Sequence, residues 1–278
     1  MIIKSNRHVP QRFQVRPLEQ SAGELRDWFE TDIGRYILAR EREAVGQLAP
    51  RMQGYRLVQL GIGRANAFSD LFDSLHQFTL GDPADNGVGA CSAFEELPLP
   101  SETIESVFLH HALEFSQQPT EVIKEAYRVL TPGGQMMIVL FPPSGMLGLA
   151  RLMGCGLSTQ AIWHHHMLRV GRVADWLNLL GMEVVSRRKG GYLLPINRAG
   201  WIAKGKSYDA FCQRHQLPGA AFQVIVAKKR VARLINSGRP QWKASLARVS
   251  QLNVARAARQ AAHQAPLEKA KPSQQDPV

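Results

Sequence analysis

The residues with the clearest chemical potential lie in the first half of the chain. Gly61 and Gly63 are spaced so that a ligand can approach the backbone without meeting a Cβ. An acid, Asp82, follows roughly 20 residues later, the separation at which a carboxylate accepts hydrogen bonds from two ribose hydroxyls. His110 and His111 form a second focus, because imidazole titrates near neutrality and can act as a general base. Trp163-His164-His165-His166 is a third. Three consecutive side chains of a regular element cannot all face one ion, and no acid or cysteine stands beside them, so no metal ligand is assigned. A surface loop or a pocket wall is the reading for that run.

These residues need elements to hold them, and hydrophobic periodicity supplies candidates. Arg128-Val-Leu-Thr-Pro-Gly-Gly-Gln-Met-Met-Ile-Val-Leu-Phe141 reads as a helix end, a Pro-Gly turn and an apolar run from Met136 too short for a helix. A run apolar on both faces is a strand covered on both sides, as in a parallel sheet. Tyr55–Leu60 and Phe78–Gly81 read as the first two strands, with a helix from Ala67 to His76 between them. The third strand is predicted over 88–94, and the fourth over Ile104–Leu109. The fourth delivers His110 and His111 to the carboxyl edge, where alternation lets one of the two face the ligand, and His110 is chosen because it follows the strand directly. Upstream, one helix is predicted from Ser21 to Leu48 on the stripe Leu25, Trp28, Phe29, Ile33, Ile37. Downstream come an apolar segment over 146–153, a helix over Val170–Leu180, a strand over Met182–Ser186 and a final antiparallel strand over Ala221–Lys228.

The chain has 278 residues, 45% of them hydrophobic, enough for one sizeable core plus extensions. Its formal net charge of +11 suits an acidic partner or simply a soluble basic protein. Three scattered cysteines without a CxxC pair point to a reducing compartment. The N-terminus turns polar at once, which reads as no signal peptide, and no apolar run reaches membrane-spanning length, so a cytoplasmic location is expected. Basic residues from Lys228 to Arg259 run without an acid, with Trp242, Leu246 and Val249 at helical spacing. Such a tail suits nucleic acid or another acidic partner.

Taken together, Glu95-Glu96-Leu97-Pro98, the strand ending His110-His111 and Arg128-Val-Leu-Thr-Pro-Gly-Gly134 resemble the class I S-adenosylmethionine (SAM) dependent methyltransferases. The branch they resemble most contains the quinone-biosynthesis and malonyl-carrier-protein methyltransferases. The resemblance implies a Rossmann-like α/β fold with a seven-stranded, mainly parallel sheet whose last strand is antiparallel. It implies three regions: an N-terminal helical extension over 1–50, the SAM-dependent domain over 51–230 with insertions at 142–168 and 187–219, and a basic tail over 231–278. The implied cofactor set is Gln59, Leu60, Gly61, Gly63, Asp82, Pro83, Phe94, Leu109 and His110, with His110 also the catalytic candidate. The implied activity is methyl transfer from SAM to an acceptor, expected to be a small molecule. The alternatives are an enzyme acting on RNA or protein, and a binding or regulatory protein that kept the fold without the chemistry. Three departures motivate the last: the family's acid is Gln59 here, its third glycine is Ala65, and its adenine-binding Asp is Ala93. A nicotinamide dehydrogenase would also suit Asp82, but Asn66 breaks G-x-G-x-x-G.

Overall fold

The computed structural model describes residues 15, 18–61, 67–81, 90–91, 94–153, 160–230 and 257–259. Residues 1–231 form one compact unit and 232–278 a second; of the second, only the helical residues 257–259 are described. The stretch around Trp242, the Ala65 and Ala93 positions, and Gly63, Asp82 and Pro83 lie outside the described residues.

Seven strands form one sheet in the order β3-β2-β1-β4-β5-β7-β6. The strands are β1 (Arg56–Gly61), β2 (His76–Gly81), β3 (Ala90–Cys91), β4 (Ile104–His110), β5 (Leu130–Leu140), β6 (Met182–Gly190) and β7 (Phe222–Lys229). The pairs from β3 through β5 are parallel, and β7 runs antiparallel between β5 and β6. This is the mainly parallel sheet with a reversed last strand that the sequence predicts. Leu57, Val58 and Leu60 of β1, Val107 to Leu109 of β4 and Met136 to Leu140 of β5 are buried without gaps, because both sheet faces are covered.

Seven helices accompany the sheet among the described residues. They are α1 (Leu18–Phe29), α2 (Asp32–Leu48), α3 (Ala112–Phe115), α4 (Pro119–Val129), α5 (Met146–Leu152), α6 (Val170–Leu179) and α7 (Ala199–Arg214). The predicted single helix over 21–48 is in fact two. Thr31 ends the first stretch and caps the second, its hydroxyl accepting from the Gly34 amide at 3.1 Å. The chain folds so tightly here that a Cβ on Gly34 would lie 2.1 Å from the Trp28 carbonyl oxygen. No α-helix forms over 67–76; Ser69–Leu71 makes one 3-10 turn, and Gln77 holds the returning chain by donating to the Ser69 and Phe72 carbonyls.

The Thr131-Pro132-Gly133-Gly134 segment does not separate helix from strand either. β5 begins at Leu130 opposite Ile104, and the register then jumps so that Ser106 faces Gln135, leaving the turn as a bulge inside the strand. Within the region 187–219, β6 runs on to Gly190 and α7 fills most of the remainder. α7 is tied to α2 by Arg40, whose Nε lies 2.6 Å from the buried carboxylate of Asp209. Asp209 in turn accepts from the Tyr192 amide at 2.9 Å. Lys229 closes the end of β7, with Nζ 2.6 Å from the Leu130 carbonyl and its charge over the Tyr127 ring at 4.2 Å.

The corner before α2 sets the height at which that helix meets the sheet. Gly34→Ala is expected to destabilise the protein by about 1–3 kcal/mol through overpacking, despite the better helix propensity of alanine. Urea unfolding checks this, and an unchanged or raised midpoint would show the corner to be loose.

Candidate active site

The strand order reverses direction between β1 and β4, and ligands of open α/β sheets bind at such switch points, beyond the carboxyl ends of the strands. Gly61 ends β1 directly opposite His110, which ends β4. A Cβ at position 61 would stand 3.4 Å from the His110 Cβ, so glycine keeps the two strand ends close and the floor of the crevice narrow. Leu60 and Leu109, paired one step below, are fully buried and form the apolar base beneath it.

Four ionisable side chains meet beside this point, all of them buried: Glu41, His110, His111 and Glu114. Glu41 comes from α2 and accepts hydrogen bonds from both imidazoles, His110 Nε2 at 3.0 Å on one oxygen and His111 Nε2 at 2.9 Å on the other. His111 Nδ1 stands 2.7 Å from Glu114 Oε1. That oxygen also accepts from the Phe141 amide at 2.8 Å, which fixes Glu114 to the end of β5. Phe29, Phe68, Phe108 and Phe141 pack around the imidazoles, the Phe141 ring stacked on His111 at 3.9 Å.

Alternation predicted that only His110 would face inward. Both do, because His111 leaves the strand in the left-handed conformation, φ 54° and ψ 16°, with its amide bonded to the Val139 carbonyl. A non-glycine residue held there carries backbone strain, and such strain gathers where function over-determines the geometry.

The electrostatics separate the two imidazoles. Burial disfavours a charge on His111, but the carboxylates of Glu41 and Glu114 outweigh it and raise its pKa to about 9. Burial would raise the Glu41 carboxyl, yet the charge of His111 and the two imidazole hydrogen bonds bring it down to about 2. His110 goes the other way: burial and the neighbouring His111 charge lower its pKa below the ordinary value. These surroundings favour the imidazolium form of His111 and the neutral form of His110, whose Nε2 faces Glu41.

Among the other candidates, Gln59 is nearly buried, and its amide nitrogen donates to Ser69 Oγ and to Gln77 Oε1, both at 3.0 Å. Phe94 packs in the main core. The His164–His166 run is not the exposed loop that the sequence suggests. His165 is buried against Phe115 and Phe141, with Nδ1 donating to the Ile162 carbonyl at 2.7 Å. Glu114 and His166 join this run to the site, since the His166 amide donates to the Glu114 carbonyl at 2.7 Å.

Sequence reasoning missed Glu41 and Glu114. The signal for Glu41 was present: it continues the buried series Ile33, Ile37, Val45, Leu48 of α2, an acid where the helical stripe calls for an apolar residue. Glu114 carried no such mark beyond lying in the short, wholly buried Ala112–Phe115 helix.

A cavity of about 390 Å³ opens on the same edge of the sheet, past the end of β5. It is lined by Pro142, Pro143, Phe222 and Gln223 together with two cations, Arg169 and Lys189, and no acid lines it among the described residues.

Burial holds His165 neutral, with its pKa lowered to about 4 despite the carbonyl that would favour its proton. A depressed histidine pKa means the unfolded chain takes up the proton first. The stabilisation is therefore complete above the unfolded value of about 6.5 and is lost as pH falls from there towards 4. Between pH 7 and pH 5 the wild type should lose about 2 kcal/mol more than His165→Gln. Urea unfolding at both pH values checks this; parallel losses would show that His165 is not held neutral.

A family model described as a methyltransferase domain matches residues 58–138, from β1 into β5. The chain is 31% identical over 209 residues to YafS of Escherichia coli strain K12, an uncharacterised protein, covering 73% of this chain and 80% of YafS. Among solved structures it resembles a SAM-dependent methyltransferase of Thermotoga maritima, a possible histamine N-methyltransferase. That match has a TM-score of 0.56 and 19% identity, and covers 77% of this chain and 98% of the other. It also resembles a chain from the complex between the Haloferax volcanii Trm112 methyltransferase activator and a putative methyltransferase, with TM-score 0.52, 17% identity and coverages of 74% and 97%. At such identities the structural matches speak for the fold, and they share the architecture described above. The chain belongs to the same family as YafS and has the class I SAM-dependent methyltransferase fold, with residues 58–138 matching the methyltransferase domain.

Proposed function

We propose that the protein transfers a methyl group from SAM to a small, anionic acceptor. The observation that carries this reading is the pairing of two features on one sheet edge. The β1/β4 switch point has Gly61 facing His110, and the cationic cavity lies beyond β5. The described residues fit the cofactor: Gly61 permits close approach, Leu60 and Leu109 give an apolar floor, and His110 lies at the crevice. Gly63, Asp82, Pro83 and Phe94 complete the proposed set, with Asp82 as the ribose ligand. When bound, SAM supplies an electrophilic methyl group on sulfur.

The chain's own contribution is alignment and dryness. The phenylalanines around His110 exclude water, and Glu41 fixes the orientation of both imidazoles. Neutral His110 is the group able to take a proton from an acceptor, through the ring nitrogen not bonded to Glu41. Arg169 and Lys189 would hold the acceptor's carboxylate or phosphate while its apolar body packs on Pro142 and Phe222. The cavity is of the size that small ligands occupy.

The finer assignments belong to the same proposal. Membership of the quinone-biosynthesis-like branch is supported by the Glu95–Pro98 turn, the strand ending His110-His111 and the Arg128–Gly134 motif. A cytoplasmic location is supported by the free, buried thiol of Cys212. No helix among the described residues is long and apolar enough to cross a membrane. The division into regions 1–50, 51–230 and 231–278, and a role for the basic tail in binding nucleic acid or an acidic partner, are likewise proposals. One observation favours a second reading, a binding protein without transferase activity. The Gln59 amide nitrogen is tied to Ser69 and Gln77, and its oxygen can accept a hydrogen bond but brings no charge in place of the missing acid.

Calorimetry with SAM and S-adenosylhomocysteine separates the two readings. Micromolar binding that is lost in Asp82→Ala is expected, and no binding by folded protein would overturn the enzyme. Incubation with methyl-labelled SAM and a cell extract tests the acceptor class. Label should appear in the low-molecular-weight fraction retained by an anion exchanger, and should fall in Lys189→Gln. Label in protein or RNA would exclude the small-molecule reading.

A further inference from the structure

The four buried groups beside β4 have an arrangement that methyl transfer does not require. His110 Nε2, His111 Nε2 and a carboxylate oxygen of Glu41 converge so that the three donor atoms all lie within 4.8 Å of one another. A zinc ion bound at about 2.0–2.2 Å from each of three donors separates them by roughly 3–3.5 Å. Each imidazole nitrogen is already 2.9–3.0 Å from Glu41, so small rotations accommodate an ion. We propose that Glu41, His110 and His111 form a binding site for a divalent transition cation, with zinc the expected metal.

Three further features support it. His111 turns its other nitrogen, Nδ1, to Glu114, which is itself fixed by the Phe141 amide. A metal-ligating histidine is almost always oriented in this way by a carboxylate or carbonyl behind it. Glu114 Oε2 is buried without a hydrogen-bond partner among the described residues, which leaves a carboxylate oxygen uncommitted next to the site. Two carboxylates are buried here, and among the described residues their ion-pair partners are only the two histidines. Buried charges need compensation, and one divalent cation neutralises this pair with both imidazoles neutral.

Two imidazoles and one carboxylate leave a fourth position for water or another ligand, as catalytic zinc sites do. Loading requires both Nε2 lone pairs. The hydrogen on His110 Nε2 moves to Nδ1, so His110 in the metal-loaded site no longer serves as the base described above, and the Nε2 proton of His111 leaves to solvent. The consecutive histidines at 164–166 are not part of the site. The proposal does not depend on SAM binding, because its ligands come from α2 and the end of β4 and its readout is the metal itself.

The test uses full-length, tag-free protein expressed in zinc-supplemented medium. Elemental analysis should find stoichiometric zinc in the wild type, with at least a tenfold loss in Glu41→Gln and in His110→Ala. After chelation, cobalt(II) should restore a stoichiometric visible d–d absorption in the wild type and not in these variants. Glu41→Gln preserves shape and acceptor oxygen, and circular dichroism confirms that it is folded. His164→Ala should keep its metal. Metal-free wild type that gives no cobalt spectrum overturns the proposal. So does metal retained by both folded site variants, or metal lost on His164→Ala.

Discussion

A carboxylate with no access to water organises this molecule. Glu41 is fully buried, and its two oxygens are each engaged by a different histidine of the adjacent sequence pair. Leaving such a charge unpaired costs several kcal/mol, so α2 must stop where the end of β4 can reach it. The Thr31 cap and the tight corner at Gly34 set that height. The left-handed turn at His111 is the matching accommodation on the strand side, since an ordinary extended residue would have sent its ring to the opposite face.

The sheet explains why this pairing stands beside a ligand crevice. β1 and β4 part the chain's crossovers to either side, and their carboxyl ends leave a gap that Gly61 keeps narrow. β7, entering antiparallel between β5 and β6, brings its first residue, Phe222, to the same edge as the end of β5. Proline, phenylalanine and the cations Arg169 and Lys189 thereby converge on one cavity although they come from well separated parts of the sequence. The crevice at β1/β4 and the cavity beyond β5 are thus consequences of strand direction as much as of side-chain chemistry.

The sheet was legible from sequence because its central strands are apolar on both faces, and the run Met136–Phe141 admits no other element of that length. The turn chemistry was less so. Thr131-Pro132-Gly133-Gly134 has the composition of a loop, yet hydrogen bonding across Ile104/Leu130 draws it into β5 as a bulge. The helix expected after Gly63 is absent from 67–76, where a glutamine holds the backbone instead. Of the site, His110 was found by its place at a strand end. His111 was set aside because alternation assumes extended φ and ψ, which it does not have. Glu41 was visible only as a flaw in an apolar stripe. The contact it makes spans some seventy positions of chain, and no local rule of periodicity reaches that far.

That separation also has a temporal side. The helices carrying Glu41 leave the ribosome well before β4 exists, so the acid spends early synthesis solvated on an amphipathic segment with nothing to bury against. His110 and His111 stand at the end of β4, so Glu41 has its partners only where that strand lies beside β1. The flank of the crevice is therefore closed by a contact that the N-terminal helices cannot make by themselves.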